Sequence, residues 1–334
     1  MAPWRIMHVG CGKRGRGWVK RVQEHPDCRS VALVDPAEAA ITATREAHPD
    51  LDAPAFGDIA EAVRQVEADI ALIASAATSR RHDCETAAAH GLHALVEKPL
   101  ALTLEDGAAI VAAAQAQGVH VVVGQNYRYK PLLHAMARQV DDGAIGAPGA
   151  GIFTRTRRRF GTGTYQQHMP HNYLWEMGVH DLDLIRYILG RRPLHVTGQS
   201  WLPPWGDFTG ETTVQALLHF EDNITVNYFG AWASAREEHS FRVDGERGAL
   251  RVDHEALTFT AIEDGAESTL APSDTAGDWA LMEELFDAVR HGTPPATSAA
   301  DNLWTLGLLD AIQRATETGE KVAVQLPASA ASGA

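Results

Sequence analysis

Short, almost uninterrupted apolar runs alternate with amphipathic stretches through the first 124 residues. The runs at 5–10, 30–35, 69–75, 92–97 and 119–124 are rich in β-branched residues and too short to be helices, so they predict strands. Between them, Ala- and Glu-rich segments at 37–48, 58–66, 79–90 and 103–117 carry helical periodicity. Strict strand–helix alternation with apolar strands predicts βαβ units, that is, a doubly wound parallel sheet covered by helices on both faces.

After residue 124 the texture changes. A helical segment at 130–142 and a Gly/Pro-rich stretch at 143–151 lead into a long alternating region. Strands are expected at 151–160, 194–201, 211–220, 223–233, 238–244, 248–253 and 256–262, joined by polar turns such as Glu221-Asp222-Asn223. This is the pattern of a large open, mostly antiparallel sheet. Helices are expected at 172–189, 277–290 and 298–318, and the small-residue tail 328–334 is expected to fray.

The 334 residues suffice for two cores, and the change of texture places a dinucleotide-binding domain at 1–124 and a second α/β domain at 125–334. Three scattered cysteines give neither a disulfide framework nor a CxxC pair, and no leader-like segment opens the chain, so a reducing cytoplasm is expected. No apolar run is long enough for a membrane span. A net charge of −14 opposes nucleic acid as a partner.

The candidate chemistry begins at Gly10-Cys11-Gly12-Lys13-Arg14-Gly15, which follows the first strand and opens a helix. Glycines there let backbone N–H groups approach a pyrophosphate at a positive helix end. Asp35 closes the second strand 20 residues past Gly15, where a carboxylate can accept from both ribose hydroxyls and repel a 2′-phosphate. The next residue, Pro36, offers no cation to such a phosphate, so NAD is expected rather than NADP.

Glu97-Lys98-Pro99 lies at the carboxyl end of a buried strand, where ligands of open α/β sheets bind. Lys98 is therefore either aimed at a substrate oxygen or simply a solvated strand-end lysine. On the helix expected at 172–189, Glu176, His180, Asp183 and Tyr187 fall within about 60° of one another, opposite Leu174, Gly178, Leu182, Ile185 and Leu189. The polar stripe is expected to face a cavity or another domain. His180 reads as an acid/base candidate or as a satisfied core histidine. Glu176 and His180 lack a HExxH context, so no metal is expected.

These landmarks, together with Asn126-Tyr127-Arg128-Tyr129-Lys130-Pro131 and Glu176-x-x-x-His180-x-x-Asp183, resemble the glucose–fructose oxidoreductase/inositol dehydrogenase (Gfo/Idh/MocA) family over nearly the whole chain. The resemblance implies an N-terminal Rossmann domain and a C-terminal domain whose open sheet forms homodimers or homotetramers. It implies hydride transfer between nicotinamide and a secondary alcohol of a sugar, glycoside or cyclitol. Lys98 would orient the reacting oxygen and His180 would be the acid/base; Glu176 stands where relatives usually carry aspartate. The expected cofactor set is Gly10, Cys11, Gly12, Lys13, Arg14, Asp35, Ser75, Ala76, His82, Glu97, Lys98 and Gln125. The expected substrate set is Lys98, Arg128, Arg157, Glu176, His180 and Trp232. Arg155, Arg157 and Arg159 share a strand face that would meet either an acidic substrate or a subunit contact. Two other functions stay open: a redox-neutral enzyme that transiently oxidises a sugar to permit glycosidic elimination, and a non-enzymatic NAD-sensing or partner-binding protein.

Overall fold

A computed structural model describes residues 2–159, 161 and 165–327. They form two compact units, one of 2–125 with 278–303 and 327, the other of 126–277 with 304–326. In chain order the elements are β1 (Trp4–Val9), α1 (Lys13–Glu24), β2 (Cys28–Val34), α2 (Glu38–Ala47), β3 (Ala55–Phe56), α3 (Ile59–Gln65), β4 (Ile70–Ile73), α4 (Arg80–Ala89), β5 (His93–Val96), α5 (Leu104–Gln117) and β6 (Val121–Val123). They continue with α6 (Pro131–Asp141), β7 (Pro148–Arg158), a π-helical turn (Leu174–Gly178), α7 (Val179–Leu189), β8 (Pro193–Trp201), β9 (Thr213–Phe220), β10 (Thr225–Ala231), β11 (Ala233–Gly245), β12 (Gly248–Val252), β13 (Leu257–Ala261), β14 (Glu267–Leu270), α8 (Ala280–His291), α9 (Ala299–Thr318) and β15 (Val322–Ala323). No helix among the described residues is long and apolar enough to cross a membrane.

The first unit is the doubly wound sheet that the alternation predicts, six strands in the order β3-β2-β1-β4-β5-β6. All neighbours pair in parallel. Its strands are apolar because both faces are covered; Ile6, Met7, Ile70, Ile73, Leu95 and Val122 are wholly buried. Local signals set the helix ends. Asp58 accepts from Ala60 N at the start of α3, Thr103 accepts from Asp106 N at the start of α5, and Gly118 ends α5 with left-handed backbone. The two-residue β3 was not expected, being too short to carry a periodicity.

Residues 278–303, placed by the sequence reading in the second domain, pack within the first unit. Phe286 of α8 stacks on Trp4 at 5.0 Å and Trp279 on His25 at 4.6 Å. The Val123 N–H donates to the Thr297 carbonyl at 2.8 Å. Aromatic burial over a long sequence separation decides the membership, and no local pattern encodes it.

The second sheet has nine strands in the order β14-β13-β12-β11-β7-β10-β9-β8-β15, antiparallel except for β7 with β10. β7 begins at Pro148, inside the stretch expected to be a break, and β11 reaches back to Ala233 across a register shift. The exposed β14 and the two-residue β15 went unpredicted. Phe160 and the tail 328–334 lie outside the described residues.

The uniform helix expected at 172–189 is replaced by the π-turn followed by α7, which breaks the 100° spacing assumed for Glu176 and His180. In α7 every residue but Tyr187 is buried, so Asp181 and Arg186 join His180 and Asp183 out of water.

His8, in the middle of β1, is fully buried with Nε2 2.9 Å from the Ser30 hydroxyl. Burial pushes its pKa down to about 3. The unfolded chain, with a histidine near 6.5, therefore binds a proton that the folded chain refuses, and stability falls as pH drops below about 6.5. The loss should reach about 2 kcal/mol by pH 5. Urea midpoints at pH 7.5 and pH 5 should thus diverge less in His8→Leu than in the wild type; equal divergence would clear His8 as the source.

Candidate active site

In the first unit the chain turns sharply after β1. Gly10 has φ 94°, donates to the Val34 carbonyl at 2.8 Å, and would drive a Cβ into the Ser75 backbone. A Cβ on Gly15 would run into the Gly10 carbonyl oxygen. These two glycines are demanded by the chain itself. Gly12 is not: among the described residues, nothing beyond its chain neighbours lies within 4 Å of where its Cβ would be. It caps α1 without a side-chain hydrogen bond, and the first turn holds Lys13 and Arg14 but no acid. Arg14 is already paired with Glu97 and Asp278, so what an anion would meet here is the positive end of the helix and its first-turn N–H groups. The open side of Gly12 thus fits a pyrophosphate.

Asp35 braces the loop, its two oxygens accepting from Cys11 N at 2.8 Å and Ala37 N at 2.9 Å. A carboxylate has about four acceptor sites, which leaves two for the ribose hydroxyls of a dinucleotide. Cys11 itself is buried and held as a thiol, its pKa pushed up to about 11 by burial and by Asp35.

The remaining cofactor candidates separate. The Ser75 backbone lies against Gly10, and its hydroxyl donates to Asp83 at 2.6 Å; Ala76 follows, exposed. Gln125 is buried at the end of β6. His82 is exposed, with Nε2 3.5 Å from Asp58 at the cap of α3. Glu97 is buried and accepts from the Arg14 Nε and, at 2.7 Å, from Trp18 Nε1. Arg14 and Arg21 both reach Asp278 at 3.0 Å. Asp278, 264 positions from Arg14, is a residue the sequence reading missed; its only signal is this contact. Lys98 is half-buried beyond β5 and precedes a cis peptide bond to Pro99.

In the second unit, His180 is 7% exposed, and its ring stacks on Tyr127 at 4.3 Å and 10°. Lys130 Nζ sits 3.3 Å and the Arg155 guanidinium carbon 4.8 Å from the same Tyr127 ring. Arg128, expected to reach substrate, grips Asp183 with Nε at 2.8 Å and Nη2 at 2.6 Å and lies over Tyr187. Trp232, also expected there, has no exposed surface and packs on Tyr173, Phe208 and Arg159. Of the arginine face, Arg155 is buried, Arg157 is exposed and Arg159 covers Trp232. Glu176 lies partly exposed in the π-turn.

Asp181 was passed over in the sequence. It is wholly buried, 2.8 Å from Arg155 Nε, and accepts from the hydroxyls of Tyr173 at 2.9 Å and Tyr228 at 3.0 Å. Burial and the Asp181 charge push both tyrosines well above their ordinary range, so both remain donors. His239, 2.7 Å from Arg155 Nη2, is driven down to about 2 by burial and by Arg155, and accepts as a neutral ring.

Residues 4–125 match the model of the oxidoreductase family with an NAD-binding Rossmann fold, and residues 133–251 match that of the GFO/IDH/MocA C-terminal domain. Inositol 2-dehydrogenase of Burkholderia cenocepacia is 31% identical over 340 residues, covering 93% of each chain. This chain belongs to the Gfo/Idh/MocA oxidoreductase family. Another relative, D-apiose dehydrogenase of Paraburkholderia graminis, is 29% identical over 94% of this chain and 88% of its own. Among solved structures, an oxidoreductase from Agrobacterium radiobacter in complex with NAD+, L-tartaric acid and magnesium superposes with TM-score 0.87 at 23% identity, over 97% of this chain and 99% of that one. The first unit is accordingly the NAD-binding Rossmann domain of an oxidoreductase.

The glycine loop gives a contrast. Gly12→Val should unfold at nearly the wild-type temperature yet bind NADH about tenfold more weakly, roughly the equivalent of one lost backbone contact. Gly15→Ala should lose both stability and binding. Unchanged NADH affinity in folded Gly12→Val would remove the loop from the cofactor site.

Proposed function

We propose that this family member oxidises a secondary alcohol of a sugar, sugar derivative, glycoside or cyclitol, with Lys98 and His180 handling the proton. The observation that carries the reading is His180 itself, a titratable ring almost withdrawn from water and held flat against Tyr127. A ring so held offers one nitrogen in a fixed direction, which general-base catalysis requires. Relatives named inositol 2-dehydrogenase, D-apiose dehydrogenase and 1,5-anhydro-D-fructose reductase support the class of substrate.

NAD, when bound, supplies the hydride acceptor; Gly10, Gly12 and Asp35 are the residues that would hold it. Lys98 donates a hydrogen bond to the reacting oxygen and so favours loss of its proton. His180 takes that proton, and returns it in the reverse direction. Glu176, one methylene longer than aspartate, is proposed to bind a substrate hydroxyl or to assist His180. Arg157, exposed at the end of β7, is a further candidate contact.

Ile152 and Leu217 are 42% and 39% exposed and join through Asn227 in register, on the sheet face away from Tyr228. They support assembly as a homodimer or homotetramer through this sheet. Leu217→Glu should then lower the mass measured by light scattering toward that of the monomer; an unchanged mass would count against that interface.

His180→Ala and Lys98→Met should each lower kcat by about 10² to 10⁴, the usual worth of a positioned proton-transfer group. The readout is NADH formation across sugars, glycosides and cyclitols. Wild-type turnover in folded variants that still bind NADH would sink the assignment. Product formed without NADH accumulation would favour the redox-neutral elimination instead.

A further inference from the structure

We infer that the buried Arg155–Asp181 pair is a positioning device for His180, acting through the rotation of α7 and through the ring of Tyr127. The inference rests on the reading of His180 as the acid/base and adds to it the groups that aim the imidazole.

Asp181 follows His180 directly, so the two side chains leave α7 about 100° apart. Asp181 is tied to Arg155 of β7, to Tyr228 of β10 and to Tyr173 ahead of the π-turn. Two hydrogen bonds and an ion pair, made to three different elements, fix how far α7 is rotated about its axis. A helix with side chains is about 5 to 6 Å in radius, so a rotation of about 10° would carry the neighbouring imidazole about 1 Å sideways. A displacement of that size costs about 10² in rate.

Arg155 supplies the second restraint. One guanidinium meets Asp181 with Nε, His239 with Nη2 at 2.7 Å and the Met177 sulfur with Nη1 at 3.4 Å. Its carbon lies 4.8 Å from the centre of the Tyr127 ring, which in turn stacks on His180. The planar fork is what allows four contacts at once, and a lysine ammonium cannot reproduce it. Desolvation offsets much of the attraction within a buried ion pair, so what this pair contributes is direction more than stability.

The test uses the full-length chain with NADH bound. In histidine-labelled protein the His180 ring protons should resonate upfield, inside the ring current of Tyr127. The shift should persist in Tyr127→Phe, which keeps the ring, and vanish in Tyr127→Leu. It should move toward the free-histidine position in Arg155→Lys and Asp181→Asn. In the same two variants kcat should fall about ten- to a hundredfold with KM changed less than threefold. If either variant fails to fold, the other and Tyr127→Leu still decide the matter. An unmoved His180 resonance in folded Arg155→Lys overturns the inference, as does a raised KM with unchanged kcat, which would make Arg155 a substrate contact. Wild-type turnover in His180→Ala would instead overturn the acid/base reading while leaving the resonance result to stand by itself.

Discussion

Burial pushes the Asp181 carboxyl above its ordinary range, and what replaces the solvent there is the Arg155 guanidinium charge, with Nε at 2.8 Å, and two hydroxyl donors, Tyr173 Oη and Tyr228 Oη. Much of the second unit follows from meeting that demand. β7 and β10 are the one parallel pair of their sheet, and Phe153 faces Tyr228 in register while Arg155 faces Gly230. Both donors therefore point from the same side of the sheet, two positions apart. Gly230 has no side chain because the Tyr173 ring fills that space; a Cβ there would enter the ring. The Tyr173 hydroxyl donates its one proton to Asp181 at 2.9 Å and lies 3.2 Å from the Arg155 carbonyl oxygen. The carboxylate, the arginine and the two phenols form one interlocked set, and His180 is the residue next to it.

The same rule organises the first unit at lower burial. Glu97 is met by Trp18 and Arg14 of α1, and the same Arg14 also meets Asp278 in the turn that opens α8, so two carboxylates share one guanidinium. Asp35 is met by two backbone N–H groups of its own loops. In that state it stiffens the turn that a dinucleotide would contact and still has acceptor sites to spare. Stiffening and recognition thus use different lone pairs of one side chain.

What was legible in the sequence follows from range. The Rossmann strands, the glycine loop and Asp35 were readable because apolar run length, turn glycines and a 20-residue spacing are local or nearly so. Arg128 and Arg155 carry no local mark that separates a ligand-binding arginine from one committed to a carboxylate. Their partners, Asp183 and Asp181, lie 55 and 26 positions on in the chain, on a helix whose buried side cannot be told from its open side by periodicity when every face is covered. Trp232 entered the expected substrate set for the same reason; an aromatic side chain suits a pocket and a core equally well. Residues 278–303 escaped because their place is fixed by Phe286 on Trp4, a pairing only the folded chain creates.

The π-turn is the clearest case of tertiary demand overriding local pattern. Tyr173, Met177 and Asp181 all reach Arg155, through its carbonyl, its Nη1 and its Nε. In a uniform α-helix each four-residue step would swing the next of these side chains about 40° further round the axis, so the third would stand well off the line of the first. A π-turn closes through i→i+5 bonds, turns the chain less per residue, and takes back part of that drift. Placing it at Leu174–Gly178, between the first and last of the three, brings them back toward one line. The cost is borne by the spacing the sequence suggested: Glu176 sits inside the widened turn, out of the uniform i, i+4 relation to His180. Its role must be judged from where the turn puts it, while His180 is held by Tyr127 against its ring and by Asp181, the next residue, about 100° round the helix.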